Sequence, residues 1–406
     1  MEMYIARQPI LDGNKRLQAY ELLYRGAAHY ALGQISGERA TTSLLTTAFL
    51  TEGIEKISSS KPCFINFTEE LLLKKVPLSF PNNLVVIEVL EDVPPSPAII
   101  AVCKEFVEKG YVLALDDFIH HRNLEPLINL AKIIKIDFSL TKGTDLERVR
   151  YKLANRDVKL LAEKVETLQE FEQAMKLGFT FFQGYFFGKP QMIQSKEIPA
   201  SKINLLQLLA EVNRKSTTIK TLKEIFSRDV GMTYKLLRYI NSAYYYLQKK
   251  IESVAHAIVY IGEQGVKRFV ILLLVSEIAT DKPVELLKLS VVRARFCELL
   301  AGESRVWPDS SEVFLLGLFS MIDGLLDTPM KEVMEKLPID EAIKDALMKK
   351  TGPLVPFLTA TDAYERNEME KCLKAFTALG VEPKNVPDYY LTAVAFADSL
   401  TRIQAG

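Results

Sequence analysis

The sequence predicts an α/β fold, a TIM-like (β/α) barrel in its N-terminal half, joined to a C-terminal all-α helical bundle. Three observations carry that prediction. Through residues 1–190 short β-rich runs alternate with segments of helical period; at 188–202 Gly, Pro and Ser cluster and the alternation stops; beyond it apolar residues recur at spacings of three and four.

The β-rich runs are YIARQ (4–8), RLQAYE (16–21), CFINF (63–67), LVVIEV (84–89), VLALDD (112–117), IIKID (133–137), VKLLAE (158–163) and FTFFQ (179–183). Between them TTSLLTTAFLTEGIEK, SPAIIAVCKEFVEKG, NLEPLINLAK, DLERVRYKLANR and TLQEFEQAMKLG repeat apolar residues at helical spacing. Strands separated by helices argue for a parallel sheet, and eight such runs suggest closure into a barrel. Gly110 and Gly178 stand at helix ends, immediately before strands, where a left-handed residue belongs.

From the second run onward, nearly every strand ends in a residue able to coordinate or donate: Glu21, Asn66, Glu88, Asp116 with Asp117, Lys135 with Asp137, Glu163 and Gln183. A parallel barrel delivers all these ends to one face. Five carboxylates gathered there would raise one another's pKa unless cations compensate them. Oxygen ligands with one amide carbonyl suit hard divalent ions, and adjacent aspartates can serve two of them.

Composition sets the bounds. Lys plus Arg and Asp plus Glu are equal at 51 each, so no basic excess advertises a nucleic-acid polymer or an anionic membrane as partner. Cys63, Cys103, Cys297 and Cys372 form no CxxC pair and read as reduced core residues. The longest strongly apolar run, FVILLLV at 269–275, is too short to span a bilayer, and the expected location is the cytoplasm.

YELLYR, FINF, IEVLE, LALDDF, IKID, LLAEKVET and FFQGYFFGKP, in this order, resemble the EAL domain of bacterial cyclic di-GMP phosphodiesterases over about residues 1–195. The resemblance implies that Glu21, Asn66, Glu88 and Asp116 bind a first Mg²⁺ or Mn²⁺ and that Asp117 joins Asp116 at a second. Lys135 would hold the attacking water, Glu163 would act as base or metal ligand, and Glu166 and Gln183 would orient the surrounding groups. Arg25 would contact a phosphate of the ligand, and the product of hydrolysis would be linear pGpG. Two features depart from the family: Phe118-Ile119-His120-His121-Arg122-Asn123 replaces a glycine- and serine-containing loop after the aspartates, and Lys164 stands where AEGVE has glycine.

Residues 200–406 form the expected helical domain. DVGMTYKLLRYINSAYY and IESVAHAIVYIGEQGVKRFVILLL resemble the HDOD domain, a relative of metal-dependent HD phosphohydrolases. The chain contains no His-Asp dipeptide, so a histidine-based HD metal site cannot be assembled. Regulation through an unidentified protein partner is the role that remains, and the family's pairing near the altered loop makes a homodimer a further expectation. Two functional readings stay open: slow or controlled hydrolysis of cyclic di-GMP, and a receptor or scaffold without turnover.

Overall fold

The computed structural model describes residues 3–26, 54–116, 124–141, 143–186, 230–241, 250–280, 282–337 and 339–404, with isolated positions between 202 and 226. The chain divides into two compact units, Met1–Phe187 and Gly188–Gly406.

The first unit is a closed barrel. Its strands are β1 (Met3–Asp12), β2 (Leu17–Gly26), β3 (Cys63–Phe67), β4 (Val85–Val89), β5 (Val112–Leu115), β6 (Ile133–Asp137), β7 (Lys159–Glu163) and β8 (Phe181–Gln183), adjacent in that order around the ring. From β2 to β8 neighbours pair in parallel. β1 departs from the expected parallel sheet and runs antiparallel to both β2 and β8. The reason is local: parallel neighbours need a crossover of a dozen or so residues, and only Gly13–Arg16 separates β1 from β2. Asp12 closes that turn, its Oδ1 accepting the Asn14 and Arg16 N–H groups at 2.8 and 2.9 Å, so the segment Asp-Gly-Asn is a hairpin signal.

The crossover helices sit where the periodicity puts them. Pro97–Glu108 begins with the Ser96 side chain accepting the Ile99 N–H at 3.3 Å and buries Ile99, Val102, Cys103 and Phe106. Leu168–Lys176 opens with a reciprocal capping box between Thr167 and Glu170. Gly110 and Gly178 take φ values of 85° and 84°, so each ends its helix in a conformation that any side chain would strain.

Inside the barrel Ile10, Ala19, Phe64, Val86, Ala114, Ile133 and Leu161 form one buried apolar layer, with Val112 and Phe181 against it. This layer fixes the height and direction of everything above it.

The second unit is helical throughout its described residues, from Val230–Ile240 to Val386–Gln404. Helix Val284–Glu303 packs against helices Ser310–Phe319, Val355–Glu365 and Val386–Gln404. A Cβ on Gly317 would lie 2.5 Å from the Arg293 carbonyl oxygen, so the closest helix approach requires glycine there. Buried charges on the central helix are paired: Lys288 with Asp398, Arg293 with Glu365, and Glu298 with Arg268 and Arg295. Asn241 braces a turn by donating to the Leu237 and Ile251 carbonyls at 2.7 Å each. All four cysteines are buried free thiols. Among the described residues no helix is long and apolar enough to cross a membrane.

Candidate metal and phosphodiester site

Side chains two residues apart on a strand point to the same face, one layer further along by about 6.6 Å. Two residues beyond Ala19, Phe64, Val86, Ala114, Ile133, Leu161 and Phe181 stand Glu21, Asn66, Glu88, Asp116, Lys135, Glu163 and Gln183. The functional layer is therefore the inward-facing layer directly above the apolar one, at the C-terminal mouth. On β1 the count runs backwards, because the strand is antiparallel: Gln8, two residues before Ile10, pairs in register with Glu21. Gln8 is the site residue that a search of strand C-termini overlooks.

Lys135 rises from the floor of the mouth, fully buried, and its ammonium is the hub. It lies 3.4 Å from Glu21 Oε2, 3.0 Å from Asp116 Oδ1 and 2.6 Å from Glu163 Oε1, and it also meets Glu88 Oε1. Gln183 Nε2 donates to Glu21 Oε2 at 2.6 Å and to Gln8 Oε1 at 2.8 Å. Asn66 Nδ2 donates to Glu21 Oε1 at 3.3 Å, and its carbonyl oxygen is buried beside the cluster.

Four carboxylates thus share one ammonium. Burial alone would lower the Lys135 pKa, but Glu163, Glu21, Glu88 and Asp116 together hold it well above its ordinary value, so the lysine stays charged. Burial pushes Glu88 well above the usual carboxylate range against the pull of Lys135, with Glu21, Asp116 and Glu163 adding to the rise. Glu163, buried beside the same groups, is pushed up to about 8.

The donor set fits a hard divalent cation. Carboxylate oxygens of Glu21, Glu88 and Glu163 all lie within 4.8 Å of one another. Glu88 Oε2 and Gln183 Oε1 are buried acceptors without a hydrogen-bond donor, and an ion bound there would satisfy acceptors that Lys135 leaves unmatched.

Glu166, Arg25 and Asp117 are the remaining sequence-predicted residues. Glu166 is exposed beyond the end of β7, where its backbone N–H donates to Glu170 Oε2 at 2.9 Å. Arg25 lies in β2 opposite Tyr4, with its side chain outside the described part of the structure. Asp117, His120 and His121 fall outside the described residues. Gly184, just past β8, has φ 144°, and a Cβ there would come within 2.0 Å of the Val165 carbonyl oxygen; this close approach locks the Gln183 end of β8 to the chain after Glu163.

A closed barrel with acids and one lysine converging at its C-terminal mouth, in a chain whose second compact unit is helical, defines the class of protein: a (β/α) barrel joined to an all-α unit. The EAL domain profile matches residues 53–190 and the HDOD domain profile residues 198–337. The uncharacterized protein YuxH of Bacillus subtilis (strain 168) is 35% identical over 98% of this chain and 99% of its own. The cyclic di-GMP phosphodiesterase CdgJ of Vibrio cholerae serotype O1 is 34% identical over 98% of this chain and 93% of its own. A crystal structure of an EAL domain protein from Listeria monocytogenes EGD-e superposes on 46% of this chain and 87% of that one, at 18% identity and a TM-score of 0.39. The chain belongs to the EAL–HDOD family.

Proposed function

We propose that the barrel binds cyclic di-GMP at its C-terminal mouth together with Mg²⁺ or Mn²⁺ and hydrolyses one phosphodiester to give linear pGpG, while the helical unit engages a protein partner and regulates the barrel. The observation that carries this reading is the surplus of carboxylates around the buried Lys135, four acids against one ammonium, with Glu88 Oε2 left without a donor. The near full-length likeness to a cyclic di-GMP phosphodiesterase supports the choice of substrate.

Glu21, Asn66, Glu88 and Asp116, with Asp117, would hold the ions. Divalent ions bound there lower the pKa of water and neutralise phosphoryl oxygens. The chain's own groups do the rest. Lys135 orients the incoming water by donating to its oxygen, and Gln183 holds Glu21 in place through the 2.6 Å hydrogen bond. Glu163, pushed up to about 8 in the metal-free mouth, takes the water's proton from its ionised form, the form that bound cations favour. Water oxygen joins phosphorus as the P–O3′ bond breaks, and the departing 3′ oxygen ends protonated.

A second reading, a receptor that binds without turnover, is favoured by one feature of the sequence: Phe118–Asn123 contains neither glycine nor serine after the aspartate pair. Incubating the purified chain with cyclic di-GMP and Mg²⁺ or Mn²⁺, and following pGpG by chromatography, separates the two. Hydrolysis that Glu21→Ala and Asp116→Ala each reduce at least about a hundredfold is the expected result. Equal rates in all three proteins would overturn the assignment, and binding without product would select the receptor.

A further inference from the structure

We propose that Lys164 is a rim cation that contacts a phosphate of the bound dinucleotide and sets its affinity; the inference rests on the reading of the mouth above and extends it to a residue outside that set. Three observations converge on it. Lys164 has φ 52°, a left-handed conformation that glycine adopts freely and a lysine adopts against steric resistance. Strained backbone of this kind concentrates where surrounding structure holds a side chain in place for a purpose.

The second observation is position. Asp137 stands two residues beyond Lys135 on β6, on the same inward face and one layer further out, and is paired in register with Glu163. Lys164 Nζ meets Asp137 Oδ2 at 2.5 Å, so the ammonium is held at the residue that pairs in register with Glu163. Asp137 is itself anchored, because its Oδ1 accepts the Ser139 and Leu140 N–H groups at 2.5 and 3.2 Å.

The third is charge and exposure. Asp137 is 3% exposed, whereas the Lys164 side chain is 57% exposed and presents its charge to solvent above the site. A ligand carrying two phosphodiesters enters a mouth lined by acids, and a cation fixed at the rim both screens Asp137 and offers a donor to one phosphate. A lysine serving only to brace the loop would leave ligand affinity untouched.

The test measures equilibrium binding of cyclic di-GMP to the full chain by calorimetry, with Ca²⁺ as the divalent ion, over a range of salt concentrations. Lys164→Gly suits the backbone and should fold with an unchanged or higher melting temperature. It should weaken binding about tenfold and flatten the salt dependence, while Lys164→Arg stays within about threefold of wild type. Binding by Lys164→Gly within about twofold of wild type, with the same salt dependence, would overturn this inference alone. No binding by any form, wild type included, would overturn the reading of the mouth as well.

Discussion

Replacing Lys135 by methionine keeps the stem and removes the ammonium that contacts Glu21, Glu88, Asp116 and Glu163. Breaking a buried ion pair by deleting one partner costs about 3–5 kcal/mol, because the abandoned charge remains in a poor solvent. Here the loss is cushioned by protonation, since Glu88 is already raised well above its ordinary pKa and Glu163 stands at about 8. The cost should therefore grow as pH rises through 8, where Glu163 loses its proton, and shrink toward pH 5, where Glu163 keeps it. For a domain of this size each kcal/mol moves the melting temperature by about 2–4 °C, so the metal-free barrel should melt roughly 10 °C lower at pH 8. Saturating Mn²⁺ should recover most of that shift by replacing the missing positive charge. Calorimetry reports both units, while the single tryptophan, Trp307, lies in the helical unit and follows that unit by fluorescence. A barrel transition unmoved by Lys135→Met at pH 8 without metal would refute the charge-balance argument.

Glu163 lies near 8 in the fold against an ordinary 4.5, so the folded chain keeps a proton that the unfolded chain has released. The stabilisation this gives is complete below pH 4.5 and is lost as pH rises through 8, so metal-free stability should fall across that interval; Mn²⁺, which displaces the proton, should bind more tightly as pH rises. Mn²⁺ affinity that is flat between about pH 6.5 and 8.5 would contradict an ion site within reach of the Glu163 carboxyl. In the helical unit, Arg293 Nε lies 3.0 Å from each Glu365 carboxylate oxygen. Arg293→Ala should destabilise that unit by about 3–5 kcal/mol, and Lys at 293 should restore only part because it lacks the planar fork. Trp307 fluorescence melting provides the measurement, and a loss below about 1 kcal/mol would mean the pair is solvent-screened.

Much of the barrel and its mouth was legible in the chain. Alternation of strand and helix, left-handed glycines before β5 and β8, and polar strand ends each have a local physical cause that composition and spacing reveal. Glu21, Asn66, Glu88, Asp116, Lys135, Glu163 and Gln183 were found because period-two alternation makes the residue after each core position's outward neighbour face inward again. Gln8 escaped because that reading assumes parallel strands, and the hairpin at Asp12 reverses β1. Glu166 follows Glu163 closely in sequence, and with Lys164 in a left-handed conformation between them its side chain is exposed where that of Glu163 is buried.

By itself the sequence determined which residues of β2 to β8 line the mouth, since strand periodicity is a local property of the backbone and every inward position above the apolar layer carries a polar group. Only the tertiary structure decided how those groups divide their charge. Lys135 is separated from Glu21 by 114 residues and from Glu88 by 47, and no local rule says that its ammonium lands among four acids. Barrel closure places them within a few ångströms in a space with little water, where Coulomb attraction and desolvation are both large, and their balance leaves the surplus negative charge that a divalent cation would meet.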